Sequence, residues 1–130
     1  MKKYLFIFLA ALGLSGCRQS LEDRAAKDCK EFTEAKCPTP TRDNTRMDSM
    51  VYEAGTRTIH YYYTLVGDAD NKAVIAQRRK ELRKALQDAL RTDMGTRAYK
   101  EEGFVFRYTY RSEKSPQEVL VDETFKKGQY

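Results

Sequence analysis

Residues 57–66 read RTIHYYYTLV, and a period of two runs through them: Ile59, Tyr61, Tyr63 and Leu65 share one face, while Thr58, His60, Tyr62, Thr64 and Val66 share the other. This is the pattern of a strand with one side on a core. Upstream, Ala54-Gly55-Thr56 supplies a turn, and Arg46 to Glu53 reads as the preceding strand, with Met47, Ser49 and Val51 opposite Asp48, Met50 and Tyr52. Downstream, Gly67-Asp68-Ala69-Asp70 closes the strand and offers a cap for a helix over about 71–92. Its apolar stripe is wide but one-sided, built from Val74, Ile75, Leu82, Ala85, Leu86, Ala89 and Leu90 with Met94 as a further candidate, the signature of a helix laid on a sheet.

Beyond a linker over 95–102, which has room for a short helical turn, the alternation returns. Phe104, Phe106, Tyr108 and Tyr110 oppose Val105, Arg107, Thr109 and Arg111. A turn through Ser115-Pro116 leads to a last strand in which Val119, Val121, Glu123 and Phe125 alternate with Leu120, Asp122 and Thr124. Before all of these, Ser20 caps a helix over 21–34 whose narrow seam is Leu21, Ala25, Cys29 and Phe32, and which the prolines at 38 and 40 stop. The order of elements predicts an α+β fold: a small four-stranded, mainly antiparallel sheet covered by one long helix, with an additional N-terminal helix. A small barrel is the alternative, and strand order is not readable from the pattern.

The chain has 130 residues with 41% hydrophobic content, nine Tyr and six Phe, a composition for one folded module and too small for a multidomain enzyme. His60 is the one histidine, so a histidine-rich metal site cannot be built. No nucleophile elbow and no calcium-loop spacing occurs. The sequence therefore offers no catalytic residue, no metal ligand set and no reason to expect a cofactor.

The first 17 residues, MKKYLFIFLAALGLSGC, are organised as a secretory leader: Lys2 and Lys3 precede an apolar run from Tyr4 to Leu14 that is too short for a standard membrane span. The run ends Leu14-Ser15-Gly16-Cys17, which resembles the lipobox of bacterial lipoproteins. That resemblance implies cleavage before Cys17, diacylation of its thiol and acylation of the new amino terminus, an attachment that one chain alone would not secure. Asp after the lipidated Cys commonly retains Gram-negative lipoproteins in the inner membrane. Arg18 and Gln19 stand there instead, so the resemblance implies the periplasmic side of the outer membrane. The expected organisation is a signal peptide over 1–16, a lipid anchor and helical segment over 17–40, and a periplasmic α+β domain over 41–130. Losing Lys2 and Lys3 leaves 22 basic against 19 acidic side chains, a net charge of +3.

With Cys17 taken by lipid, Cys29 and Cys37 remain in an oxidising compartment and are expected to form a disulfide. Eight positions of unbroken helix would hold their Cα atoms about 12 Å apart, so the bridge requires a helix broken between them.

If the long helix covers the more apolar face, the other displays His60, Tyr62, Thr64, Arg107, Thr109, Arg111, Asp122 and Thr124. Tyr62, Arg107, Arg111 and His60 are the candidate partner-binding residues, with aromatic area for burial and arginines for orientation. An acid/base pairing of His60 with Asp122 is the weaker alternative, and an ordinary solvated sheet face the plainer one. Arg78, Arg79, Lys80, Arg83 and Lys84 form a basic helix face; export argues against nucleic acid as its partner. In size and organisation the chain looks like the small pilot and accessory lipoproteins of secretion machines, a resemblance that transfers no binding residue. It implies a non-catalytic envelope lipoprotein, joined to the membrane through its lipid, that binds an envelope protein or organises an assembly. Exclusion or inhibitor lipoproteins and envelope ligand or stress sensors are the alternatives.

Overall fold

A computed structural model describes residues 19–130. The expected strands are all present: β1 (Thr45–Glu53), β2 (Thr58–Leu65), β3 (Val105–Ser112) and β4 (Val119–Phe125). They form one sheet in the order β1-β2-β3-β4. Both hairpins are antiparallel and the central pair, β2 with β3, is parallel. A parallel pair needs a long crossover, and residues 66–104 provide it with α2 (Lys72–Gln77), α3 (Arg79–Thr92) and α4 (Arg97–Glu101). The class is α+β, as the sequence predicts.

The single long helix expected over 71–92 is interrupted at Arg78, whose N–H reaches the carbonyls of both Val74 and Ile75. The short helical turn expected in the linker is α4. On the N-terminal side, Ser20 Oγ accepts from the Asp23 amide and starts α1 (Leu21–Lys36), which Cys37-Pro38 ends. All the helices lie on one face of the sheet: α1 packs on β1, and α2 and α3 pack towards β4.

Beneath them Phe104, Phe106 and Phe125 are fully buried, joined by Ile59, Leu90, Tyr99, Ala25 and Cys29. A second cluster, Leu65, Ile75 and Val121, closes the end nearest α2. The strict alternation expected in β1 fails at Asp48, an extra residue between Met47, opposite Tyr63, and Ser49, opposite Tyr62. The bulge puts Met47 and Met50 on the same, helix-covered side, where alternation alone would separate them.

The disulfide between Cys29 and Cys37 is absent: both thiols are free. The reason is the helix itself. It runs unbroken from Leu21 to Lys36, so Cys29 stays on its buried face while Cys37 lies past its last turn, at a separation near 12 Å that no disulfide spans. Burial pushes the Cys29 thiol up to about 11. Cys17 and the leader lie outside the described residues. No helix among the described residues is long and apolar enough to cross a membrane.

Candidate functional site

The helix-free face carries the side chains the sequence assigns to it, but they are engaged with one another. Parallel registry sets His60 beside Arg107, Tyr62 beside Thr109 and Thr64 beside Arg111, and β4 adds Asp122 opposite Thr109. Arg107 grips Asp122 with two charge-assisted bonds, Nε to Oδ1 at 2.9 Å and Nη2 to Oδ2 at 2.6 Å. This guanidinium holds the Asp122 carboxyl below the usual carboxylate range. Thr109 donates to Asp122 at 3.4 Å and meets His60 Nε2 at 2.7 Å, while His60 Nδ1 lies 3.2 Å from Glu53.

His60 is therefore not an exposed contact residue. It is only 3% exposed, although no helix covers it, because Tyr62 stacks on its ring with centroids 4.0 Å apart. The direct His60–Asp122 pairing is also replaced, since Thr109 stands between them. A row of Glu53, His60 and Thr109 has the order of a nucleophile relay, yet the Thr109 hydroxyl is buried and already bonded on both sides. A substrate has no route to it. Arg111 is apart from this network, with Nη1 3.4 Å from the Pro116 carbonyl. Of the four expected contact residues, Tyr62, Arg107 and His60 are brought together and Arg111 is not.

The helix side offers a different kind of surface. On this side the tyrosines of the central strands line up in register, Tyr61 on Tyr108 with centroids 4.9 Å apart and Tyr63 on Tyr110 at 4.5 Å, packed on the core. Each pair is offset or near-parallel stacking of the favourable kind. Burial raises all four phenols, Tyr63 to about 12, so they stay neutral at physiological pH. At the Leu65 end of β2 lies a slot of about 340 Å³, with Asp43 and Thr45 at the start of β1 on one side, Ile75 and Leu82 of α2 and α3 on the other, and Tyr110 and Val121 from the sheet. Tyr61 and Tyr63, on the core face that alternation predicts, pack half-buried against the main cluster.

The basic helix face is likewise divided. Arg83 turns inward to Glu123, 6% exposed on the core face of β4, and lies 4.5 Å over the Phe125 ring; Arg79 comes within 3.6 Å of the same carboxylate but stays exposed. Lys80 and Lys84 remain exposed. Among the described residues no group of three His, Cys, Asp or Glu side chains is placed to hold a metal ion.

The fold has relatives of known structure. A secreted protein from Pseudomonas aeruginosa superposes with a TM-score of 0.66 at 16% identity, over 85% of this chain and 96% of that one. EpsS, the pilotin of the Vibrio vulnificus type 2 secretion system, gives 0.64 at 15% over 84% and 90%. AspS, the type II secretion system pilotin of Vibrio cholerae, gives 0.62 at 14% over 85% and 92%. At these identities the likeness is one of fold. No curated protein matches the sequence. The chain belongs to the family described as a domain of unknown function, DUF8479, whose model matches residues 20–121, from the N-cap of α1 to the third residue of β4.

Proposed function

We propose that this protein is a non-catalytic, lipid-anchored accessory of a secretion machine, held at the periplasmic side of the outer membrane by Cys17 and binding a component of that machine. The observation that carries the reading is the slot at the Leu65 end of the sheet, bounded by α2, α3 and the start of β1, with Leu82, Leu86, Tyr110 and Val121 in its lining. Such a slot suits one row of apolar side chains from an amphipathic partner segment. The shared fold with two pilotins supports this, as does the lipobox-like Leu14-Ser15-Gly16-Cys17. The helix-free face is the competing location: Tyr62 and Arg111 keep part of their surface free, but Arg107 is already neutralised by Asp122.

The test is cross-linking in the native envelope followed by mass identification, using wild type, Ala85→Glu, at an exposed position in the slot lining, and Tyr62→Ala. Ala85→Glu is expected to lose the secretion component while melting close to wild type, and Tyr62→Ala to retain it. The reverse result moves the contact to the helix-free face. Recovery of no secretion component by any of the three proteins ends the accessory reading.

A further inference from the structure

The helix α1 begins at Leu21, and its cap, Ser20, is already fixed by the Asp23 amide. Between Cys17 and this helix there are only three residues. Four backbone steps reach at most about 14 Å from the Cα of Cys17 to that of Leu21. If Cys17 carries the lipid, its backbone sits in the headgroup layer, which is roughly 5–7 Å deep on each side of a bilayer. The remainder, about 7–9 Å, is less than the 10–12 Å diameter of one helix with its side chains. A domain tethered so closely cannot stand clear of the membrane.

The fold determines which end is held down. The start of α1 is tied to the β1–β2 turn by Glu22 and Arg57, 2.9 Å apart, and Arg57 reaches on to the Glu102 carbonyl at the end of α4. Lys100 of α4 donates to the carbonyls of Arg91 and Asp93 at the end of α3, and the hydroxyl of the C-terminal Tyr130 donates to the Lys100 and Phe104 carbonyls. The same end of the molecule therefore gathers the start of α1, the end of α3, α4 and the C-terminal segment. At this end stands Met94, 71% exposed, by a wide margin the most exposed of the large hydrophobic side chains described. Arg91, Arg97, Lys100 and Tyr130 share a shallow depression with it, together with Asp93 and Glu101, the latter paired with Arg97 at 2.9 Å. An exposed apolar tip with a tyrosine and long basic side chains beside it suits a membrane–water interface.

We infer that this end of the domain, centred on Met94, is a bilayer-contacting surface, held against the phospholipid headgroups by the shortness of the tether at Cys17. The inference rests on the lipid-anchor reading above. It gives the domain a fixed orientation, because the slot at Leu65, Ile75 and Val121 lies at the opposite end of the strands and points away from the membrane.

Methionine oxidation tests it without a substitution in the domain. Full-length, lipidated protein is reconstituted in vesicles of phosphatidylethanolamine and phosphatidylglycerol, and hydroxyl-radical oxidation of Met94 is compared with that of the Cys17→Ser protein in solution, with Met47, towards the other end of β1, as the internal reference. A fall of about fivefold or more at Met94, with Met47 changed less than twofold, is expected. A twelve-residue Gly/Ser spacer after Gln19 should return Met94 to the soluble rate, since such a chain extends by about 17–20 Å on average. Equal Met94 oxidation in floated, acylated protein overturns the inference, as does protection that survives the spacer. Protection in soluble Cys17→Ser protein at high concentration also overturns it, in favour of self-association. Failure of the wild type to carry acyl mass or to float with the vesicles is a separate result: it removes the anchor, and the inference with it.

Discussion

Glu123 shows how a single carboxylate can hold a helix. Alternation along β4 sends it to the core face between Val121 and Phe125, where an unpaired charge would be costly. Arg83 and Arg79 reach it from α3, and the Arg83 guanidinium also covers the Phe125 ring. Arg83→Ala should therefore lower stability by about 1–3 kcal/mol, the range for a lost hydrogen bond to a charged group, whereas Lys80→Ala, on the exposed side of α3, should leave the denaturation midpoint within about 0.5 kcal/mol of wild type. Equal effects in urea unfolding would show that the pair does not fasten α3. The free thiols give a second residue-scale prediction. Cys37 should react with iodoacetamide in the native state, and Cys29, buried and pushed up to about 11, only on unfolding. A linked peptide in non-reducing mapping would contradict this. Neither feature was legible in the sequence. The charge pattern groups Arg83 with the basic helix face because a stripe on one helix does not reveal a carboxylate on a strand forty residues away. Counting cysteines suggests a bridge because the count carries no geometry, and the prolines at 38 and 40 leave open a helix break before Cys37, whereas the helix runs on to Lys36.

At the scale of elements, the strands were the most legible part. In β2, β3 and β4 nearly every side chain falls on the face that a period of two assigns it, since one face is packed and a slip of one residue would expose it. The pairing of β2 with β3 was not legible, because neither strand's own pattern differs between parallel and antiparallel neighbours when each has one polar face. The long crossover of residues 66–104 was the available clue. Central pairing makes β3 the element whose loss should matter most. Phe106→Ala, at a fully buried site, is expected to cost about 3–5 kcal/mol, read as a shift in the urea midpoint; a change below about 1 kcal/mol would mean the core closes over the cavity. Across β3 and β4, Arg107 depresses the Asp122 carboxyl. Its contribution to stability is therefore complete above the unfolded value near pH 3.9 and is lost as the pH falls through the lower, folded value. Asp122→Asn should be less stable than wild type at pH 6, and the gap should close below pH 4. A gap independent of pH would assign the effect to packing.

For the whole molecule, the proposed reading assigns anchoring and partner binding to separate parts of the chain, which makes them testable apart. Among the described residues the two core clusters and all four strands are built from residue 21 onward, so folding should not require the proposed leader. A lipid on Cys17 would act differently: it would confine the domain to a surface, raising the encounter rate with any partner in the same membrane without adding a contact. Cys17→Ser, exported to the periplasm, is thus expected to melt within about 2 °C of the lipidated protein, because no core residue changes. It should nonetheless leave the outer-membrane fraction and recover the partner far less well in native cross-linking. Intact mass supplies the independent check, the wild type showing loss of residues 1 to 16 with added acyl mass and the variant showing no acyl mass. If the variant stays with the outer membrane, the domain must hold itself there through its partner or the Met94 surface. If instead it leaves the membrane yet recovers the partner fully, the partner is not membrane-bound, and the slot beside α2 and α3 serves a soluble component of the periplasm.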